Sequence, residues 1–288
     1  MSVATADTDL GRERLHQHRR RRLLHAALLS VSLAYLAVLL LAPLAGILWV
    51  AFRHGFADIA QTLSQPDVRH AFLLTAIIAV ITLVVTTVFG VIVAWVLARQ
   101  RFRGKSLLNA LVDLPLAVSP VTVGLMAVLL FGRGGWFEPW FSAQGIQVIF
   151  ALPSMIMVTI FICIPFVIRE VAPVLEELGT SEEDAARTLG ASSTHSFRRV
   201  TLPNIRWGLL YGIALTTARA IGEIGAVLIV SGSLQGQTET ATLYIYRALE
   251  ERQTASAYVV ALSLAAVSVL LLGTIEFFKR RASRRDGS

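Results

Sequence analysis

Residues 184–203 read DAARTLGASSTHSFRRVTLP, a charged stretch set between two long apolar segments, and the fold follows from how it is parsed. Its skeleton is Asp184-Ala185-Ala186, three residues, Gly190, nine residues, Val200, one residue, then Leu202-Pro203. Glu182, Glu183 and Asp184 crowd what becomes a first helical turn, where the positive end of the helix dipole stabilises acids. Thr180 and Glu183 have the spacing of a capping box, and Ser181 and Asp184 fit it loosely. A short helix is therefore predicted to run to Leu189, with Gly190 in the left-handed position that ends it. Ser192 or Ser193 then caps a second short helix through Arg199. Leu202-Pro203 predicts a hard stop, because proline disfavours helix at the residue before it and can begin the next one. Ala185, Ala186 and Leu189 give the first helix a slim, apolar side that can enter a groove on a soluble partner. The alternative is a helical hairpin that caps its own bundle.

On either side of this stretch the chain is built for lipid. Of its 288 residues 55% are hydrophobic, and the mean hydropathy of +0.65 lies far above that of a soluble domain. A helix needs about 20 apolar residues to cross the hydrocarbon, and six such runs are legible: Ala26 to Phe52, Ala71 to Ala98, Leu107 to Phe131, Val148 to Ile168, Trp207 to Val230 and Ala255 to Phe278. Helices satisfy their own backbone groups in lipid, and the alternation that a barrel needs is absent. The expected fold is all-α, a polytopic six-span membrane protein. Residues 1–25 read as a mobile basic tail, 26–279 as one transmembrane domain with a cytoplasmic loop at 170–206, and 280–288 as a second tail. The run after RRRR at 19–22 reads as a retained signal anchor. Pro43 and Gly46 interrupt the first span, and Pro115, Pro120 and Gly124 the third. Leu107 to Asp113 reads as an interfacial elbow that turns inward at Pro115.

Twenty Lys and Arg residues fall in the two tails and the 99–106 and 169–206 loops, against five on the intervening sides. By the positive-inside rule both termini and the 170–206 loop are cytoplasmic. The formal charge of +7 is accounted for by anionic lipid beside the spans, not by nucleic acid. On the opposite side Trp136, Phe137, Trp140 and Phe141 suit the headgroup boundary. Arg219 is the one basic residue left inside a span. Glu223 lies four residues on, so the two share a helix face and can pair; a charge in the membrane interior is costly and needs such a partner or a wet cavity. Gly208, Gly212, Gly222 and Gly225 add close-approach positions, expected to meet another helix of this chain or of a paired subunit.

Covalent chemistry has no visible apparatus. Gly104-Lys105-Ser106 resembles the end of a phosphate-binding loop, but Arg99 stands where the first glycine is needed. The six histidines have no metal spacing, and the lone Cys163 reads as apolar filler. No cofactor is expected on this chain.

The Asp184 to Pro203 skeleton resembles the EAA loop of bacterial ABC-importer permeases, with Asp184 for Glu and Val200 for Ile. Residues 203–237, PNIRWGLLYGIALTTARAIGEIGAVLIVSGSLQGQ, resemble the W-type permease subunits of sulfate/thiosulfate ABC importers, which are binding-protein-dependent inner-membrane components. Arg219 to Ala226 follows R-x-x-G-E-F-G-A with Ile224 for Phe. Leu114 to Pro120, Ala151-Leu152-Pro153 and Pro165 to Glu170 are similar to the same family. The resemblance implies import of sulfate or thiosulfate across the bacterial cytoplasmic membrane by alternating access. It also implies a heterodimer with a T-type permease, two copies of an ATPase that carries the ATP and Mg, and an external sulfate/thiosulfate-binding protein. Glu183, Asp184, Ala185, Ala186, Gly190, Val200, Leu202 and Pro203 would couple to the ATPase, and Arg219 and Glu223 form an intramembrane pair or gate. The rivals are a permease for molybdate or another oxyanion, an ion-coupled secondary carrier using Arg219 and Glu223, and a non-transporting scaffold.

Overall fold

The computed structural model describes the backbone of residues 4–53 and 55–286, and side chains of 28–53 and 55–277. Every regular element among the described residues is helical. The chain divides into two compact units, residues 1–55 and 56–288. The first is α1 (Ala4–Phe52), which runs unbroken through Pro43 and through the tail boundary expected at residue 25. The second contains α2 (Phe56–Ser64), α3 (Pro66–Arg99), α4 (Lys105–Ala117), α5 (Pro120–Phe131), α6 (Glu138–Ser142), α7 (Leu152–Leu178), α8 (Ser181–Thr188), α9 (Ser193–Ser196), a π turn (Phe197–Thr201), α10 (Leu202–Ile221), α11 (Gly225–Ser231), α12 (Ala241–Glu250) and α13 (Thr254–Asp286).

The axis of this unit is α7, which packs most extensively on α3 and α10. Near the end that carries α8 and α9, the hairpin end, Leu97, Val112, Ile168, Val171, Leu175 and Ile205 form one core layer. Toward the far end Leu74, Val123, Met155, Val158, Val227 and Val230 form another. A third cluster, including Val68, Ala71, Tyr244, Ala257 and Val260, ties α3, α12 and α13 together. A Cβ on Gly208 would sit 2.6 Å from the Glu170 carbonyl oxygen, and one on Gly212 would sit 2.9 Å from Val167 Cα. Helix α10 therefore lies backbone-to-backbone on α7. The partner that Gly208 and Gly212 meet is a helix of the same chain, and Gly225 likewise meets Pro120 of α5. A Cβ on Gly222 would approach only its own helix, at Ala218 O.

Among the described residues four helices are long and apolar enough to cross a membrane, or up to six if each of two bent pairs counts as one span. The bent pairs correct the third and fifth spans. In the third, α4 and α5 meet at 111°. The turn comes at Val118 and Ser119, both extended, and not at Pro115, which sits inside α4. Pro120 is the cause, since the ring disfavours helix at the residue before it. Helix α5 has only 12 residues, about 18 Å at 1.5 Å per residue, so it depends on the α4 elbow. That elbow packs on α7, and a two-pronged contact of Arg169 with Asp113, at 2.7 and 2.6 Å, fastens it there.

In the fifth span α10 stops at Ile221, and α11 leaves at 50° from Gly225. At its other end the expected stop at Leu202-Pro203 does not occur. The helix continues from Ser193 through the π turn into α10. Pro203 lacks an N–H, and the wider turn meets this by letting Leu202 N–H donate five residues back to Phe197 O.

Candidate functional site

The hairpin has the predicted outline. Helix α8 ends at Thr188, Gly190 follows with φ +86°, and Ser192 Oγ accepts from His195 N–H at 3.3 Å to cap α9. The capping box at Thr180 does not form: Thr180 is helical in φ and ψ and makes no side-chain cap. Its intended partner Glu183 is engaged elsewhere. Asp184 and Arg187 pair at 3.3 Å with both side chains more than half exposed. Such a pair contributes about 0–1 kcal/mol, so either residue is available to a partner. Ala185 is exposed, Ala186 is half-buried, and Leu189 stands 89% exposed at the tip.

Glu183, expected among the residues that couple to the ATPase, is turned inward and only 6% exposed. Its Oε1 accepts from Arg99 Nη2 at 3.1 Å and from Thr201 Oγ1 at 3.0 Å. Arg99 Nη1 donates in turn to the Leu175 carbonyl at 2.6 Å, in the last turn of α7. The Arg99 Nε–H is buried without a partner. Glu182 accepts from Asn204 Nδ2 at 2.6 Å. Two acids of the triplet, Glu182 and Asp184, thus lie at the surface while Glu183 between them is bonded to α3 and to the π turn. Val200 and Leu202 are half-buried, and Pro203 is exposed. Arg99 and Thr201 were missed by sequence reading. They meet Glu183 across 84 and 18 residues, and nothing in local spacing marks such a contact.

Arg219 and Glu223 are brought together, but not along one continuous helix. Glu223 lies in the break, 3% exposed, and its Oε1 accepts from Ala226 N–H at 2.8 Å, so it caps α11. Its Oε2 lies 2.6 Å from Arg219 Nη1. No N–H lies along that contact well enough to count as a hydrogen bond, so the attraction is Coulombic. Thr242 Oγ1 donates to the Glu223 carbonyl at 2.9 Å, which ties the break to α12. The Arg219 side chain remains 30% exposed. The gap between α10 and α11 is therefore held by a buried carboxylate that serves a helix terminus and a guanidinium together.

At the far end a third buried acid went unread in the sequence. Glu239, 1% exposed, binds Arg247 with both oxygens, at 2.6 and 3.1 Å, and Arg247 also reaches Glu251 at 3.1 Å. Hydrogen bonding to Glu239 raises the Arg247 guanidinium above its ordinary range. Of the loop aromatics, Phe137 and Phe141 fold back on Phe131, at 5.3 and 5.8 Å between centroids. Trp136 and Trp140 stand 79% and 60% exposed.

Apolar helices of membrane-crossing length, two bent pairs of helices that each fit one further span, and a charged hairpin bonded to their ends define an integral membrane protein of the transport-permease kind. The chain belongs to the binding-protein-dependent transport system inner membrane component family, whose pattern matches residues 86–284. It is 46% identical over 254 residues to the sulfate transport system permease protein CysW of Synechocystis, covering 88% of this chain and 92% of that one. To the protein of the same name in Escherichia coli K12 it is 43% identical over 245 residues, 85% and 84% of the two chains. To the E. coli K12 sulfate transport system permease protein CysT it is 36% identical over 257 residues, 89% and 93%. In fold it is similar to a chain of a bacterial ABC transporter involved in the import of the acidic polysaccharide alginate. That match has a TM-score of 0.78 at 18% identity and covers 93% of this chain and 99% of the other. The chain is an integral membrane transport subunit and not an enzyme.

Proposed function

We propose that this chain is the W-type half of a sulfate/thiosulfate ABC importer. It forms the translocation path with a T-type permease and receives the anion from an external sulfate/thiosulfate-binding protein. The higher identity to the CysW than to the CysT of one organism, E. coli K12, 43% against 36%, supports the W-type reading over the T-type. Two copies of a cytoplasmic ATPase, which carry the ATP and Mg, drive the pair through hairpins of this kind.

The observation that carries the coupling role is the division of α8 into two sides. Asp184, Ala185 and Leu189 are offered to solvent while Glu183 is bonded inward. Ala186, Gly190, Val200, Leu202 and Pro203 give that surface its shape and join it to α10. Both termini and the hairpin are cytoplasmic, and the Trp136 loop lies outside. Arg219, with 30% of its side chain exposed beside a buried Glu223, is the element of positive charge in the path and the gate of that path at the break between α10 and α11.

The test is reconstitution of the two permeases and the ATPase in proteoliposomes, with the binding protein added outside. ATP-dependent uptake of radiolabelled sulfate, competed by thiosulfate, is expected. Uptake of molybdate with sulfate excluded would replace the substrate. Uptake driven by a proton gradient without ATP would replace the mechanism with that of a secondary carrier.

A further inference from the structure

The hairpin is useful only if its movement reaches the membrane helices, and one side chain joins it to two of them. Arg99 ends α3 and spends two arms of its guanidinium on different elements. Nη1 donates to the Leu175 carbonyl of α7, and Nη2 pairs with Glu183 of α8, at 2.6 and 3.1 Å. Glu183 passes the link on, accepting from Thr201 of the π turn that leads without a break into α10. Both side chains of the ion pair are 8% exposed, so salt and water screen it far less than a surface pair. The exposed Asp184–Arg187 pair, by contrast, begins and ends on α8. Removal of Arg99 leaves the hairpin joined to α7 and α10 by the chain itself and to the start of α10 by the Thr201 and Asn204 side chains, while its only described side-chain tie to α3, and through it to the α7 carbonyl, is gone.

We propose that Arg99 is a positioning residue for energy coupling. Through Glu183 it makes α8, α3, α7 and the start of α10 move as one body when the ATPases close. This rests on the importer reading above and adds to it the part that turns hairpin movement into helix movement. The planar fork of Arg suits this joint because its donors leave from two nitrogens held in one plane, whereas the three donors of an ammonium radiate from a single rotatable nitrogen.

The experiment measures ATP hydrolysed per sulfate transported in proteoliposomes containing the whole importer. A purely structural loss lowers both quantities together, whereas loss of the joint raises their ratio. Arg99→Ala alone strands a buried carboxylate and lowers the amount of protein, so the decisive variant is Arg99→Ala with Glu183→Ala, which removes both charges. It is expected to retain the ATPase, to hydrolyse ATP, and to consume at least about tenfold more per anion, a shift within the range of coupling free energies between sites. Arg99→Lys should fall between the double variant and the wild type. A short bifunctional thiol bridge between Arg99→Cys and Glu183→Cys should bring the ratio back toward wild type, because the joint is proposed to stay closed throughout the cycle. A double variant with the wild-type ratio overturns the proposal, as does a bridge that arrests transport. A wild-type importer that takes up no anion overturns the importer reading instead, so the two failures are distinct.

Discussion

At the scale of single residues the informative contacts are buried acids, and two of them, Glu183 and Glu223, each serve two partners. Glu223 caps α11 through Oε1 and faces Arg219 through Oε2. Arg219→Ala leaves a carboxylate that is 1% exposed without its cation, which costs on the order of 3–5 kcal/mol for a fully buried charge. Glu223→Ala removes the cap as well, a further loss of about 1 kcal/mol, but the stranded guanidinium is 30% exposed and can reach water. Glu223→Gln keeps an oxygen for Ala226 N–H and should be milder than Glu223→Ala. Membrane abundance and thermal unfolding in detergent check that order; equal damage from Gln and Ala would remove the capping role. Replacing both residues by apolar ones should restore abundance, and transport by that double variant would make the pair structural and not part of the path. The four-residue spacing made the pair legible in sequence. The break between its members was not, because Gly222 is tolerated inside membrane helices and no proline marks the site. Arg99 left no mark as a site residue, since its partner lies 84 residues away, and Glu239 left none because its partner Arg247, eight residues on, falls outside the three- and four-residue spacings that mark a helical pair.

At the scale of elements, glycine and proline act by different means. Gly190 has φ +86° and nothing within 4 Å of an added Cβ, so a substitution there is felt through the backbone alone. Gly190→Val should cost about 1–2 kcal/mol of left-handed strain and unwind the hairpin tip. Retention in the membrane, weaker co-purification with the ATPase and loss of uptake are expected. Gly190→Asn, which tolerates that conformation, should keep most of the association. If Val and Asn behave alike, the conformation of the tip is not what the ATPase reads. Gly208 is the opposite case, because its missing side chain makes room for the Glu170 carbonyl at 2.6 Å. Gly208→Ala should cost about 1–3 kcal/mol of overpacking between α10 and α7, measured as a fall in the unfolding temperature of the detergent-solubilised protein. Sequence reading located both glycines. It misjudged Leu202-Pro203, because a π turn provides a way past a proline that ordinary helix rules do not contain.

At the scale of the molecule, hydropathy located the apolar runs but could not tell a straight span from a bent one. The α4 and α5 pair has the composition of a single crossing and a 111° turn within it, imposed by backbone geometry at Ser119 and Pro120. Orientation rests on a different quantity, the twenty-to-five division of basic residues, which the helix geometry leaves untouched and a labelling experiment can decide. The native thiol, Cys163, is buried and gives little background. Leu189→Cys at the hairpin tip and Trp136→Cys in the aromatic loop replace side chains that are 89% and 79% exposed, so access to reagent depends on the side of the membrane and not on burial. In intact cells a membrane-impermeant maleimide should label Trp136→Cys and spare Leu189→Cys. After permeabilisation both should react. Labelling of Leu189→Cys from outside would place the hairpin on the face away from ATP, where no cytoplasmic ATPase could reach it, and the coupling scheme would fall with the topology.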